Sequence, residues 1–159
     1  MSALTELTAK LQQELHCTQS LLRALETEKQ LLESRDLSGL QLLLTTKSDS
    51  LDLLERLQQS RRDWLQNQGL SSSDKELLVE LEQSSDRDSP IAHELLSECL
   101  KNIEKCSYFN ELNGILISNS RKRNNRQLDL MRGISKEQKL YTASGATTSR
   151  TSQNNMGSA

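Results

Sequence analysis

The stretch LTELTAKLQQELHCTQSLLRALETEKQLLES, residues 4–34, decides the fold class. Its leucines recur at intervals of three, four and seven residues, which places them on one face of an α-helix. The set is Leu4, Leu7, Leu11, Leu15, Leu22, Leu25 and Leu32. Polar side chains, among them Glu6 and Lys10, occupy the opposite face. The spacing predicts an amphipathic helix over residues 2–34, about 50 Å long at 1.5 Å per residue.

A second helix is predicted over residues 37–68. Asp36 is a suitable N-cap, and Gly69 is placed for a left-handed residue after the last turn. Leucines continue at helical spacing between these two signals. The second segment therefore folds back along the first as another amphipathic helix.

Two further helices are predicted over residues 74–84 and 90–132. Ser73 and Glu76 have the Ser-x-x-Glu spacing of a capping box for the short helix. Pro90, the one proline of the chain, suits the first helical position because its missing N–H costs nothing there. The last helix carries an apolar stripe along most of its length.

The composition agrees with helices alone. The chain has 31 Leu against one Val, five Ile and four aromatic residues. Strands favour β-branched and aromatic residues, so a sheet is excluded. We expect an all-α fold: an elongated antiparallel bundle of about three long amphipathic helices and one short helix. The predicted bundle domain covers residues 1–140.

The C-terminal segment differs from the bundle in composition and charge. Residues 142–159 are mostly Ser, Thr, Asn, Gly and Ala, too polar to offset the entropy of ordering. We therefore expect a flexible tail over residues 141–159. Residues 1–120 hold 12 cations against 20 carboxylates, whereas residues 121–159 hold eight against two. A basic C-terminal quarter follows an acidic bundle.

Few residues indicate chemistry. Cys17, Cys99 and Cys106 are an odd set, and with His16 and His93 they do not give the close spacing of a zinc site. No phosphate-binding loop and no nucleophile motif is present. The sequence indicates a protein that is not an enzyme and needs no cofactor or metal. With no apolar run of membrane length and no signal peptide, it is expected in the cytoplasm.

Asn110, Asn113 and Gly114 interrupt the last helix. The asparagines fall where its stripe calls for apolar residues, and a mid-helix glycine costs about 1 kcal/mol relative to alanine. One interpretation is a place where a partner helix approaches closely. The other is a kink or an amide network between helices of the bundle.

The run Ser120-Arg121-Lys122-Arg123-Asn124-Asn125-Arg126 follows. Four cations in six residues are typical of a helix that contacts phosphates, so a nucleic-acid-binding regulator is the alternative function. The simpler interpretation is a solvated helix face near a C-terminus, where cations favour the helix dipole.

These elements resemble the FlgN family of flagellar export chaperones. The resemblance rests on Asn110-Glu111-Leu112-Asn113-Gly114, on the pair Arg123-Asn124, on the run Gln127–Gly133, and on Tyr141-Thr142-Ala143-Ser144-Gly145. Residues 46–54 and 58–61 are also similar to the leucine-repeat segment of that family. The likeness covers most of residues 1–145.

The resemblance implies a cytoplasmic, all-helical chaperone without enzymatic activity. Its clients would be the hook-associated proteins of the hook–filament junction, FlgK and FlgL, held by their helical C-terminal segments. Tyr141 matches the tyrosine associated with docking to the export gate protein FlhA. The chaperone would be a monomer or weak homodimer when free. The expected client-binding residues are Asn110, Asn113, Gly114, Leu116, Ile117, Leu128, Met131 and Ile134.

Overall fold

A computed structural model of the chain describes residues 3–132, 139–141 and 147–149. Its elements are α1 (Ala3–Ser34), α2 (Leu37–Asn67), α3 (Asp74–Gln83), α4 (Ser89–Met131), β1 (Lys139–Tyr141) and β2 (Thr147–Ser149). Every helix begins and ends within one residue of its predicted bounds, and the all-α bundle is confirmed. The chain forms two compact units, Met1–Leu116 and Ile117–Ala159.

The turn between α1 and α2 is fixed by Asp36 and Gly39. The Asp36 carboxylate accepts the backbone N–H of Gly39 at 2.9 Å, which confirms the predicted N-cap. A Cβ on Gly39 would lie 2.8 Å from the Asp36 carboxylate and 2.8 Å from a Leu31 methyl group. Glycine therefore lets α2 start close against α1. Gly69, with φ of 72°, has the predicted left-handed conformation after α2.

The predicted capping box of α3 is wrong. Ser73 stands at the N-cap, but its side chain makes no capping hydrogen bond. Glu76 instead accepts a hydrogen bond at 2.6 Å from the hydroxyl of Ser71, which also accepts the N–H of Ser73 at 3.2 Å. Ser71 thus binds the Glu76 carboxylate and the Ser73 N–H, which would have bonded to each other in the box.

All four helices contribute to the core at one end of the first unit. The largest core cluster joins α1 and α2 to the short helix α3 and the start of α4. Its buried members are Leu7, Leu11, Leu65, Leu77, Leu81, Ala92 and Leu96. Ser89, also buried, donates its hydroxyl to the carbonyl of Leu81 and so ties α4 to the end of α3.

A second cluster continues the core where α3 has ended. Its members come from α1, α2 and α4, and they are Cys17, Leu21, Leu25, Leu54 and Cys106. The described part of the bundle thus changes from four helices to three along its length. α2 runs antiparallel to α1, because Arg61 bonds to Glu14 while Lys47 bonds to Glu28.

α1 and α4 are parallel and locked in a seven-residue register. Three side chains of α4 donate to carbonyls of α1 with a constant offset of 88: Cys99 to Leu11 (3.6 Å), Cys106 to Thr18 (3.9 Å) and Asn113 to Leu25 (3.0 Å). A repeat of seven residues is the signature of coiled-coil packing. The α4 side chains at these positions are small, as is Ala92 one repeat earlier, and their contacts with backbone carbonyls place α4 close to α1.

The second unit contains two short strands that the sequence did not predict. β1 and β2 pair antiparallel with Tyr141 opposite Thr147. Tyr and Thr have high strand propensity. With three residues in each strand, the pairing involves too few residues to show in the composition of the chain. The remaining residues of the predicted tail lie outside the described residues.

Candidate partner-binding surface

Asn113 lies buried where α1, α2 and α4 meet. Its amide donates to the carboxylate of Glu28 at 2.7 Å and to the carbonyl of Leu25 at 3.0 Å. Lys47 donates to both oxygens of the same carboxylate, at 3.1 and 3.0 Å, and to the amide oxygen of Asn110 at 3.2 Å. Glu28, Lys47, Asn110 and Asn113 form what we call the polar network.

The polar network holds three helices together by their polar groups. Asn113 is 1% exposed and Glu28 is 8% exposed, so their hydrogen bonds are made away from water. The amide network considered from the sequence is therefore present, and it includes both asparagines. One atom of it, Oδ1 of Asn113, has no hydrogen-bond partner among the described residues. A buried polar group without a partner costs about 1–3 kcal/mol.

The first unit ends just beyond this network. Gly114 is exposed, and a Cβ added there would meet no described atom within 4 Å. Space beside the helix is thus open at this turn. Leu116, the last residue of the unit, is half-buried.

The part of α4 in the second unit exposes its apolar side chains. Ile117 is 40% exposed, Leu128 47%, Leu130 74% and Met131 84%. Large apolar side chains grouped on one exposed helix mark a binding surface more often than single ones do. Ile134, predicted for the same surface, lies outside the described residues.

The cations of α4 are on the surface as well. Arg121, Lys122, Arg123 and Arg126 are all exposed. They lie between Ile117 and Leu128 along the chain and make this end of α4 both apolar and basic. Tyr141 lies in β1, and its backbone pairs with that of Thr147.

A comparison with known families identifies the chain. The profile of the FlgN protein family matches residues 1–149. The chain belongs to the FlgN family. No curated protein and no solved structure matches it. Membership makes the chain a flagellar export chaperone in general terms.

Sequence reasoning missed a buried ionic cluster in this FlgN protein. Arg61 donates to the carboxylate of Glu14 at 2.7 Å and to that of Asp74 at 2.8 Å, and Arg61 and Glu14 are 2% and 1% exposed. Burial raises the pKa of Glu14 although Arg61 opposes the change. Burial opposes the charge of Arg61, but the hydrogen bonds and charges of Glu14 and Asp74 together raise the pKa of Arg61. The cluster fixes α1, α2 and α3 against one another.

The three cysteines of the FlgN protein are buried thiols. Burial raises the pKa of Cys99 to about 12 and that of Cys106 to about 11, and it also raises the pKa of Cys17. Thiols with such pKa values stay protonated at neutral pH and are poor nucleophiles. Among the described residues, no three His, Cys, Asp or Glu side chains come together as a metal site requires.

Two surface features of α2 were also missed. An open groove of about 750 Å³ lies between α1 and α2, lined by Ala9, Gln12, Gln13, His16, Cys17, Ser20, Ser50, Leu53 and Leu57. Elsewhere on α2, Leu37, Leu42 and Leu44 are 78%, 79% and 64% exposed. The leucine spacing had indicated a helix but not which leucines would pack against other residues.

None of the described helices is long and apolar enough to cross a membrane.

Proposed function

We propose that this FlgN protein works in the cytoplasm as an export chaperone for hook-associated proteins. It binds clients of the FlgK and FlgL type by their helical C-terminal segments, keeps them unassembled, and delivers them to the export gate. The observation that supports the proposal is the row of exposed apolar residues on the last turns of α4. Family membership supports the general role of a chaperone.

Helix-on-helix binding suits this role because it needs no chemistry. Segments that pack together in an assembled filament are amphipathic, and they aggregate when exposed. Ile117, Leu128 and Met131 offer an apolar surface on which such a helix can bury its own apolar face. Arg121 and Lys122 beside this surface favour clients with acidic residues next to their apolar stripe. Ile134 is proposed to extend the same surface.

The remaining predicted site residues have two kinds of role in the proposal. Gly114 and Leu116 are at the end of the first unit, and the open space beside Gly114 lets a client helix come close. Asn110 is exposed and can contact the client directly, whereas Asn113 is buried and acts by fixing the helix that carries the surface.

A pair of variants tests the client surface. Replacing Leu128 and Met131 together by serine removes two apolar side chains, each contributing about 1.5–3 kcal/mol when fully buried. We expect affinity for a FlgL or FlgK C-terminal segment, measured by titration calorimetry, to fall by at least tenfold. Leu42→Ser is the matched control, because Leu42 is 79% exposed and lies on α2. Equal effects of the two changes would disprove this placement of the surface.

Tyr141 is proposed to dock on the cytoplasmic domain of FlhA. Tyr141→Ala is expected to preserve client binding and to weaken capture by that domain in a pull-down of the chaperone–client complex. Tyr108→Ala is a suitable control, since Tyr108 is a 63% exposed tyrosine on α4 in the first unit. A loss of client binding in Tyr141→Ala equal to its loss of FlhA capture would contradict the assignment.

A further inference from the structure

Asn113 and Gly114 form the one Asn-Gly pair of the chain. Asparagine is a chemically labile residue, and it loses its side-chain amide most readily before glycine, because glycine has no Cβ to hinder attack by its own backbone nitrogen. The products are aspartate and isoaspartate. The pair lies close to Leu116, the last residue of the first unit.

The reaction needs a backbone nitrogen that is free to attack. The nitrogen of Gly114 bonds to Cγ of Asn113, the bond from Cγ to Nδ2 breaks, and ammonia leaves with the proton of the Gly114 N–H. Water then opens the resulting ring. Opening at the side-chain carbonyl gives aspartate, and opening at the backbone carbonyl gives isoaspartate, in which the chain continues through the former side chain. One water molecule is consumed for each ammonia released.

The fold opposes this reaction in two ways. In α4 the N–H of Gly114 is committed to the helical hydrogen bond with the carbonyl four residues earlier. The Nδ2 group of Asn113 donates to the Leu25 carbonyl at 3.0 Å and to the Glu28 carboxylate at 2.7 Å, which holds the side chain towards α1. The pair can therefore react only after this turn of α4 has given up both sets of hydrogen bonds.

This turn of α4 is easier to open than the turns before it. Asn110, Asn113 and Gly114 are weak helix formers placed within five residues. The Oδ1 atom of Asn113 is buried without a hydrogen-bond partner among the described residues, and it gains water when the turn opens. The space beside Gly114 is open as well. These features favour a local opening over unfolding of the whole unit.

We infer that the Asn113–Gly114 pair is a deamidation site of the folded chain, reached through local opening of α4 at the polar network. Conversion replaces an amide that donates two hydrogen bonds by a carboxylate that donates none. The new carboxylate lies beside that of Glu28, with Lys47 as the cation of the network, and two neighbouring carboxylates repel each other. Conversion therefore releases α4 from α1 at Leu25, and refolding does not reverse it. The inference rests on the polar network and not on the proposed function.

Incubation of the full chain at pH 8 and 37 °C, followed by peptide mapping with mass spectrometry, measures the conversion of each asparagine. We expect Asn113 to convert before any other asparagine of α4. Gly114→Ala is the matched control, because it keeps Asn113 and adds a Cβ that would meet no described atom within 4 Å. Circular dichroism checks that this variant is folded. Its conversion of Asn113 should be at least tenfold slower.

Two destabilised variants distinguish local opening from unfolding of the whole unit. Glu28→Gln replaces a charged hydrogen bond at Asn113 by a neutral one and removes the ion pair with Lys47, so conversion should be about fivefold faster or more. Leu77→Ala leaves a cavity in the first core cluster, at the other end of the unit. If the opening is local, conversion in Leu77→Ala should stay within about twofold of the original rate.

Low concentrations of urea give a second measure that needs no variant. A local opening exposes little surface, so its free energy changes little with urea. Unfolding of the whole unit exposes the core and responds steeply. The conversion rate of Asn113 should therefore stay nearly constant until the unfolding transition begins.

Asn113→Asp tests the consequence of conversion. Its urea midpoint should be lower than that of Asn113→Ala, because alanine adds no charge beside Glu28. The deamidation site is wrong if another asparagine of α4 converts first, or if Gly114→Ala converts as fast as the original chain. Acceleration by Leu77→Ala or by low urea equal to that by Glu28→Gln would assign the reaction to global unfolding. An Asn113→Asp chain as stable as the original would refute the release of α4.

Discussion

Asn110 and Asn113 belong to one short element, yet the structure predicts very different costs for removing their side chains. Asn113→Ala deletes a hydrogen bond to the Glu28 carboxylate and another to the Leu25 carbonyl, both in a buried site. A hydrogen bond to a charged group contributes about 1.5–3 kcal/mol and a neutral one about 0.5–1.5 kcal/mol. The expected loss in free energy of unfolding is therefore about 3 kcal/mol.

Asn110→Ala is the matched control. Asn110 is exposed and accepts one hydrogen bond, from a lysine that keeps both of its bonds to Glu28. Its loss should cost less than about 1 kcal/mol, as for other exposed polar contacts. Urea unfolding followed by circular dichroism at 222 nm measures both variants, with equal slopes required for the comparison.

The result also separates packing from recognition. If the two alanine variants lose the same stability, Asn113 does not anchor α4 and the account of the polar network is wrong. A cycle with Glu28→Gln tests the contact itself: the coupling with Asn113→Ala should exceed about 0.5 kcal/mol, whereas unconnected sites add within that amount. Titration with client compares the same two variants. Relative to the stability that each loses, Asn110→Ala is expected to lower client affinity more than Asn113→Ala, because Asn110 is exposed.

Other consequences concern the core and the turn. Arg61→Met should cost about 3–5 kcal/mol because it leaves the Glu14 carboxylate buried without its partner, and adding Glu14→Leu should recover most of that loss in urea unfolding. Alanine normally stabilises a helix by roughly 1 kcal/mol relative to glycine. Gly39→Ala should give no such gain, because the added Cβ displaces the Asp36 cap, and thermal unfolding measures the change in stability. The raised pKa values of Cys99 and Cys106 mean that the unfolded chain releases these protons above pH 9.0 while the folded chain keeps them. The stability that each thiol contributes is thus fully present below pH 9 and is lost as pH rises toward 11, by about 1.4 kcal/mol per thiol at pH 10. Unfolding curves at pH 8 and pH 10 measure this loss, and Cys99→Ala should make it smaller by the contribution of one thiol.

The positions of the helices could be predicted because their signals are local. Leucine spacing marks a helix, and Asp36 and Gly69 mark where α2 begins and ends, so no distant residue is needed. The short box at Ser73 failed for a local reason too, since the neighbouring Ser71 competes for the same partners. Spacing could not show which leucines are covered, and so the exposure of Leu37, Leu42 and Leu44 on α2 was not predicted.

The polar interior depended on partners that are distant in the sequence. Glu14 and Arg61 are 47 residues apart, and nothing in either segment indicates that the two side chains form a buried ion pair. Asn113 was recognised only as an irregularity of its helix; its bond to Leu25, 88 residues away, required the three-dimensional fold. The end of α4 was proposed as a client surface with the family resemblance; the structure adds that the side chains of Ile117, Leu128 and Met131 are exposed.

The constant offset between α1 and α4 limits how the length of the chain can vary. One inserted residue between Cys99 and Asn113 would rotate every later α4 side chain by about 100° around the helix axis and turn the Asn113 amide away from the Leu25 carbonyl. Seven inserted residues would return the side chains to almost the same orientation but shift them two turns along the axis. Insertions and deletions are therefore not tolerable between Cys99 and Asn113 of α4, nor between Leu11 and Leu25 of α1, where they would break the same offset.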